Sequence, residues 1–152
     1  MEGAQPEGVD DQGPSLGVLL FIPYRHMEQR ILDAVVAAGH PITLVQARLF
    51  QRIDPGGSRL TTLAAAAQIT KQAAKFLVDQ LENGGYVERV PDPGDGRARL
   101  VRITRLGYDV IEVATVVERR IEQEWRSHLG PQETDELTAT LLRLREITDP
   151  FA

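Results

Sequence analysis

Four side chains of types that contact DNA lie within residues 71–76: Lys71, Gln72, Lys75 and Phe76. Lysine can reach a guanine edge or a phosphate, glutamine can form two hydrogen bonds with adenine, and an aromatic ring can contact the thymine methyl group. On a helix the last three share one face, and Lys71 lies on its flank. This spacing predicts a helix that reads or grips duplex DNA. For Phe76, packing against a neighbouring helix or hairpin is the alternative.

The same segment must also be held in place, and its opposite face carries an apolar stripe with i, i+3, i+4, i+7 spacing: Ala74, Leu77, Val78 and Leu81. Thr70 is a suitable N-cap, and two glycines after Asn83 can end the helix. The preceding segment has a candidate N-cap at Thr61 and small residues that allow close approach of a second helix. Together the segments predict a helix-turn-helix with a recognition helix.

A β-hairpin with arginines is predicted next. Residues 86–90 and 100–103 are rich in β-forming residues, and the loop between them is rich in proline, glycine and aspartate. Arg97 and Arg99 begin the return strand, from which an arginine can enter a narrow A·T minor groove. Asp95 can orient the guanidinium of Arg97 by a charge-assisted contact. An exposed turn that only carries charge is the alternative, but the position after two helices favours a wing.

The net charge of -5 is unusual for a DNA-binding protein, but its distribution is uneven. Residues 59–105 contain eight Lys or Arg and five acids, a net charge of +3, so the rest of the chain carries -8. Attraction to phosphate is local, because charges are screened over about 8 Å at physiological salt. Uneven solvated charge accounts for these numbers equally well, so charge alone does not decide.

Apolar helical segments on both sides of this region predict a dimerisation frame. Residues 15–38 are apolar at helical spacing, with Pro23 expected to kink the helix or mark its restart. A segment capped by Thr104 runs from Arg105 to Leu129, and it has more apolar surface than one small domain can cover. Pro131 begins a last helix with a leucine stripe. A monomeric core helix is the alternative to pairing with a second subunit.

The expected fold is mainly α with a small β-hairpin wing, a winged helix-turn-helix with N- and C-terminal dimerisation helices. A capping box at Thr43 and Gln46 begins one further helix of the lobe. The predicted parts are a disordered acidic arm (1–14), dimerisation helices (15–40 and 105–148) and a DNA-binding lobe (41–104).

Composition argues against several other classes. The chain has no cysteine, so disulfides and thiolate metal sites are excluded. His26, His40 and His128 lack the spacing of metal ligands. No apolar run reaches the roughly 18 to 20 residues that span a bilayer, and the acidic N-terminus is unlike a secretory signal. We therefore expect a cytoplasmic protein without membrane association, cofactor or metal. No arrangement of residues points to an enzyme.

Residues 15–148 resemble the MarR family of bacterial transcriptional regulators. The resemblance rests on five motifs: Leu63-Ala64, Asp79-Gln80-Leu81-Glu82, Gly85-Tyr86-Val87-Glu88-Arg89, Asp92-Pro93-Gly94-Asp95-Gly96-Arg97 and Thr104-x-x-Gly107. It implies a homodimer that binds a pseudo-palindromic operator in double-stranded DNA, with recognition helices in successive major grooves and wing arginines in flanking minor grooves.

The resemblance assigns these residues to the major-groove helix: Thr70, Lys71, Gln72, Ala73, Lys75 and Phe76. It makes Arg97 the wing arginine with Asp95 as its structural partner, and the adjacent Arg99 completes the DNA-binding set. There are two departures from the family. Gln68 occupies the inter-helix turn where glycine is usual, which would tighten or strain that turn. Phe76 replaces a polar or basic residue, so the operator preference of relatives does not carry over.

Many members of the family respond to small lipophilic or phenolic molecules in a crevice between the lobe and the dimer helices. Here such an effector site would draw on Tyr24, His26, Phe50 and Tyr108. The resemblance implies a regulator that mostly represses by occluding a promoter, and an effector would act by shifting the population toward forms with misplaced recognition helices. The alternative is a winged-helix protein-interaction module without sequence-specific DNA binding, which the acidic charge and Phe76 suggest.

Overall fold

A computed structural model describes residues 13–151. The helices in this range are α1 (Leu16–Ala37), α2 (Leu44–Phe50), α3 (Leu60–Ala66), α4 (Lys71–Asn83), α5 (Arg105–Leu129) and α6 (Pro131–Thr148), and the strands are β1 (Val87–Asp92) and β2 (Asp95–Ile103). The antiparallel β1–β2 hairpin lies between α4 and α5 in the chain, so the expected mainly helical fold with a wing is confirmed. Of the predicted disordered arm, residues 1–12 lie outside the described residues. Every helix within 13–151 is too short or too polar to cross a lipid bilayer.

Threonine side chains cap the helices where the sequence predicts it: Thr43 on α2, Thr70 on α4 and Thr104 on α5. The capping box on α2 is reciprocal. The Thr43 hydroxyl accepts from the Gln46 amide at 3.3 Å, and the Gln46 side chain accepts from the Thr43 amide at 3.0 Å. These bonds satisfy amide groups that have no partner within the helix. Local sequence therefore defines where these helices begin.

Two expectations about element ends are wrong, and a third is narrowed. The N-cap of α3 is Arg59 rather than Thr61, and it makes no side-chain cap bond. Helix α1 continues through Pro23 without a restart, so a kink at this proline stays the prediction. The strands extend beyond the β-forming runs, because Asp92 pairs with Asp95 across the hairpin and its side chain accepts from the Gly94 amide at 2.9 Å. The loop predicted from the sequence is thus reduced to a short, closed turn.

The core of the lobe lies beneath α4, whose apolar stripe is buried as predicted: Ala74, Leu77, Val78 and Leu81. The stripe belongs to a cluster with Leu63 of α3, Phe50 of α2 and Val101 of β2. Leu63 and Val78 have no exposed surface, so α4 cannot rotate about its axis without uncovering them. Burial of this stripe directs the other face of α4 to solvent.

Two backbone positions set how the lobe is assembled. Gln68 has a φ of 55° in the turn between α3 and α4, and it is the only non-glycine residue with positive φ in the range 13–151. This confirms the strain expected there, since side chains other than glycine are disfavoured in that region. Gly107 is buried at the start of α5, where an added Cβ would overlap the carbonyl oxygen of Tyr86 and the side chain of Ile103. Its lack of a side chain lets α5 pack closely against the lobe.

Candidate nucleic-acid interface

The exposed face of α4 presents the residues predicted to contact DNA. Five of the six residues assigned to this helix and its cap are exposed, and Ala73 is half-buried. Phe76 stands out because 62% of its surface is exposed despite its aromatic side chain. Lys71 is the first helical residue, and no acidic side chain lies in the first turn. Since a helix N-terminus carries partial positive charge, this end of α4 favours an anion such as a phosphate.

An ion-pair network fixes the end of α4 to the wing. Lys75 Nζ lies 2.8 Å from Asp79 Oδ2, and Arg89 of β1 lies 2.6 Å from Asp79 Oδ1 and 2.7 Å from Glu82 Oε1. The hydrogen bonds from Lys75 and then from Arg89 lower the pKa of the Asp79 carboxyl. The carboxylate therefore stays charged and holds both cations. Arg89 orients the hairpin relative to α4 rather than reaching outward.

The wing is held by a residue that sequence reasoning missed. Arg59, which precedes α3, donates from Nη2 and Nε to Asp92 Oδ2 at 2.6 and 2.9 Å, and its Nη2 lies 3.7 Å from Asp95 Oδ2. The Gly94 amide, followed by Arg59, lowers the pKa of Asp92. The two partners are 33 positions apart, so no local spacing signals the pair. Arg59 anchors the hairpin to the helix-turn-helix.

The predicted role of Asp95 is wrong in detail. Its Oδ1 accepts from the backbone amide of Arg97 at 3.1 Å, and no contact with the Arg97 guanidinium is formed within residues 13–151. An aspartate at a turn can accept from the backbone amide two residues on, and the other carboxylate oxygen of Asp95 lies 3.7 Å from Arg59 rather than near the Arg97 guanidinium. Asp95 therefore shapes the start of β2 and leaves the Arg97 side chain exposed. The neighbouring Arg99 donates to the Arg89 carbonyl at 3.2 Å.

Ion pairing divides the eight cations of residues 59–105 into two groups. Five have a carboxylate within 4.0 Å: Arg59, Lys75, Arg89, Arg102 and Arg105. The other three form no ion pair with any residue in the described part of the chain, and they are Lys71, Arg97 and Arg99. All three are exposed, and all three belong to the predicted DNA-binding set. The acidic residues of the lobe thus neutralise other cations.

Lys71 and Arg99 line one shallow cleft between the helix-turn-helix and β2, together with Thr61 and Arg59. Two unpaired cations and a hydroxyl group on one surface can bind phosphate oxygens. Arg97 lies outside this cleft, nearer the turn of the hairpin. The arrangement offers a phosphate contact at α4 and a separate cation farther along the wing.

A second cavity of about 430 Å³ opens between α1, α2 and α5. Tyr24 and Phe50 line it as predicted, whereas His26 and Tyr108 do not. His26 and Tyr108 are both exposed outside the cavity. His26 lies near Glu124 of α5, and Tyr108 lies on α5 two residues before Val110, which lines the cavity. The polar lining that the sequence reading missed comprises Glu28, Gln51, Thr115 and Glu118. The only local sign in the sequence that Glu28 belongs to the cavity is that it follows Tyr24 by one helical turn.

Three charged or polar groups meet at the rim of this crevice. Tyr24 donates to Glu28 Oε1 at 3.2 Å, and Arg48 donates from Nε to the same oxygen at 2.7 Å and from Nη2 to Oε2 at 3.0 Å. Burial, followed by the charge of Glu28, raises the pKa of Tyr24. The bond from Arg48 lowers the pKa of Glu28. Tyr24 is therefore a neutral hydroxyl near neutral pH, beside a charged carboxylate. No metal-binding group of acidic residues and histidines occurs within residues 13–151.

Comparison with known proteins places this fold and surface in context. The MarR family profile matches residues 40–98. The transcriptional activatory protein BadR of Rhodopseudomonas palustris is 32% identical over 93 residues, which cover 61% of this chain and 52% of BadR. The match thus spans about half of that relative's length.

Solved structures agree over nearly the whole described chain. A transcriptional regulator of Thermotoga maritima gives a TM-score of 0.63 at 27% identity, covering 86% of this chain and 92% of that one. A mutant MarR of Escherichia coli, solved with operator DNA, gives a TM-score of 0.66 at 23% identity, covering 85% and 92%. At 23% identity, the comparison with MarR shows a similarity of fold. These relatives are transcriptional regulators, in agreement with the expectation that the chain is not an enzyme.

Proposed function

Because the chain belongs to the MarR family of transcriptional regulators, we propose that it binds duplex DNA with α4 in the major groove and the wing in an adjacent minor groove. The partition of cations supports this most directly. Lys71, Arg97 and Arg99 are exposed and unpaired within the described residues, and they lie on the two elements that would meet DNA. The MarR structure bound to operator DNA shares this fold. The same partition disfavours the alternative of a protein-interaction module.

Selection of duplexes from a random library, followed by fluorescence anisotropy at several salt concentrations, tests this proposal. We expect enrichment of a pseudo-palindromic sequence, and binding that weakens steeply with salt because phosphate contacts release counterions. The triple variant Lys71→Ala, Arg97→Ala, Arg99→Ala is expected to lose binding and most of the salt dependence. Absence of binding to every duplex at about 50 mM salt, with a folded protein, would contradict the proposal.

A second copy of the chain is the proposed partner of the helical frame. The first turns of α1 expose consecutive large apolar residues, with Leu16 at 70% and Phe21 at 54%, and α6 buries no residue while exposing Leu142 at 57%. An apolar surface of this extent is typical of a protein interface. A homodimer would cover it and would place two α4 helices on two half-sites.

Sedimentation equilibrium distinguishes this dimer from a monomer of 16.8 kDa. We expect twice that mass, and Phe21→Asp or Leu142→Asp should shift the population to monomer because each would bury a charge. Val45→Asp is the matched control, since Val45 is 56% exposed on α2, outside the frame. A wild-type monomer at all concentrations, or equal dissociation by all three changes, would contradict the dimer.

The crevice is the proposed effector site, and its chemistry favours an uncharged phenol or a cationic lipophilic molecule. Its walls are mostly apolar, and among the residues that line it none is lysine, arginine or histidine, whereas Glu28 and Glu118 are acidic. Arg48 at the rim is already held by Glu28 through two hydrogen bonds, so a ligand carboxylate would lose hydration without gaining an unpaired cation. The neutral Tyr24 hydroxyl and the Gln51 amide can bond a phenol instead. The effector would lower operator affinity by preferring forms with displaced recognition helices.

Three small ligands that have the same benzene ring and differ only in their polar group distinguish a phenol site from a cation site or a carboxylate site. Phenol and benzylamine are expected to raise the melting temperature and weaken duplex binding, and benzoate is expected to do neither at equal concentration. Glu118→Gln should reduce the effect of benzylamine more than that of phenol. Benzoate acting more strongly than both would contradict the assignment.

Repression by occlusion is the proposed regulatory outcome. A protein docked across two major grooves covers roughly 20 base pairs, which is enough to exclude polymerase from an overlapping promoter. In vitro transcription from a promoter containing the selected duplex should fall as protein is added. A rise in transcript would assign activation, the role given in the name of BadR.

A further inference from the structure

We infer that Phe76 contacts a thymine methyl group in the major groove and so determines part of the operator sequence. The inference rests on the proposed DNA binding. Phe76 is 62% exposed, and it belongs neither to the buried core nor to the side chains packed against it. Packing against a helix or the wing, the alternative open from the sequence, is therefore not found. The ring is available to a partner that approaches α4 from outside.

The position of Phe76 relative to Gln72 suggests what it meets. The two residues are four positions apart on α4, one helical turn, so they lie on the same face and about 6 Å apart along the axis. Base pairs are spaced by about 3.4 Å, so the two side chains face neighbouring or next-neighbouring pairs. Glutamine can bond adenine N6 and N7, and the thymine methyl is the one apolar group that a base pair presents in the major groove. Gln72 and Phe76 together favour A·T pairs.

The surroundings of the ring favour DNA over a protein as its partner. Within the lobe, residues 41–104, all of which the structure describes, the only large hydrophobic residues that are exposed are Phe76 of α4 and Val45 of α2. Protein interfaces are built on contiguous apolar patches, and two side chains on separate helices fall short of such a patch. Its neighbours on α4 include Lys71, which has no ion-pair partner in the described chain and can bind a phosphate, and Lys75, which is held by Asp79. A ring on a polar helix face with a free cation at its N-terminal end fits a base edge.

The size of the effect follows from the burial of one methyl group. Removal of the thymine methyl group is expected to weaken duplex binding about fourfold for each half-site. This factor corresponds to roughly 0.8 kcal/mol, at about 1.4 kcal/mol per factor of ten. In a symmetric dimer both half-sites carry the contact, so replacing both thymines is expected to weaken binding about 15-fold. Deoxyuridine differs from thymidine only by this methyl group, so it isolates the contact.

The experiment uses the full chain and the duplex selected from the random library. Each thymine is replaced in turn by deoxyuridine, and affinities are measured at one salt concentration for the wild type, Phe76→Ala and Val45→Ala. Val45 is 56% exposed on α2 and serves as the matched loss of an exposed apolar side chain. We expect one thymine per half-site at which the wild type and Val45→Ala lose about fourfold and Phe76→Ala loses nothing.

Each result decides the inference. If no thymine replacement weakens wild-type binding by more than about twofold, the methyl contact is absent and Phe76 serves another partner. If Phe76→Ala discriminates thymine from uracil as the wild type does, another residue makes the contact. Both results overturn the inference while leaving DNA binding intact. Failure to bind any duplex would instead overturn the proposed function itself. Circular dichroism checks that Phe76→Ala folds, which its exposure leads us to expect.

Discussion

Replacement of Lys71 by alanine should change the salt dependence of DNA binding in a predictable way. The Lys71 ammonium has no carboxylate partner in residues 13–151, and it lines the cleft shared with Arg99. A dimer carries two copies, so the variant loses up to two phosphate contacts. Each contact contributes about -0.9 to the slope of log K against log salt, so the slope should become less negative by about 1.8. Between about 50 and 200 mM salt this difference amounts to roughly 12-fold in affinity.

The same change should leave the fold intact or slightly strengthen it. Lys71 places a positive charge at the positive end of α4, which is unfavourable by a few tenths of a kcal/mol. We therefore expect Lys71→Ala to keep or raise the melting temperature while it weakens DNA binding. That combination is expected of a residue that costs some stability and serves to contact an anion. A loss of helical content in the variant would contradict this reasoning.

Fluorescence anisotropy with the selected duplex, at three or more salt concentrations, measures the slope. Arg119→Ala is the matched control, because it removes the same charge about 21 Å along α5 from its first residue, beyond two Debye lengths. Lys75→Ala should have a smaller effect than Lys71→Ala, since Lys75 is held by Asp79 at 2.8 Å. The reasoning fails if Lys71→Ala changes the slope by less than about 0.5, or if Arg119→Ala changes it equally.

Three other changes test the scaffold. Gly107→Ala should lower the free energy of unfolding, measured by denaturant titration, by about 2 kcal/mol or more, because the new Cβ would overlap backbone as well as side-chain atoms. Gly56→Ala is the control and should have little effect, because a Cβ at that position has no atom within 4 Å. Gln68→Gly should raise the free energy of unfolding by about 0.5 to 1 kcal/mol, because glycine adopts a φ of 55° without strain. A lower free energy of unfolding in this variant would show that the turn is not strained. Because the pKa of Asp92 is lowered in the folded protein, its bonds to Gly94 and Arg59 should be fully present above about pH 4 and lost as the pH falls through the lowered pKa. An NMR titration in which Arg59→Ala left that pKa unchanged would argue against the anchor.

The sequence predicts those parts of the site that depend on neighbours along one element. The burial of Ala74 and Leu81, and hence the exposure of Gln72 and Phe76, follows from helical periodicity alone. The cap at Thr70 is equally local. These features give α4 its boundaries and its orientation before any tertiary contact is known.

Contacts between distant elements were not predictable in the same way. The pairing of Arg59 with Asp92 and the bonds of Arg89 to α4 depend on how the hairpin docks, and periodicity carries no information about that. The error at Asp95 has a related cause: the sequence shows an acid two residues before Arg97, but only the hairpin geometry shows that the backbone amide is its partner. The crevice residue Glu118 was missed because no motif marks a wall formed by three helices.

The acidic residues of the lobe resolve the conflict between net charge and DNA binding. Asp79 and Asp92 hold Lys75, Arg89 and Arg59 within the fold, so these acids position the wing and α4. Among the cations of residues 59–105, those without an ion-pair partner in the described chain are Lys71, Arg97 and Arg99, on the outer surface of the two elements. Phosphate attraction depends on charge within about 8 Å, so the -8 carried by the rest of the chain does not cancel it. Neutralising Asp79 with Asp79→Asn should therefore free Lys75, while Arg89 keeps its bond to Glu82, and should make the salt slope steeper. A shallower slope would show that ordering of the wing by Asp79 matters more than the charge it neutralises.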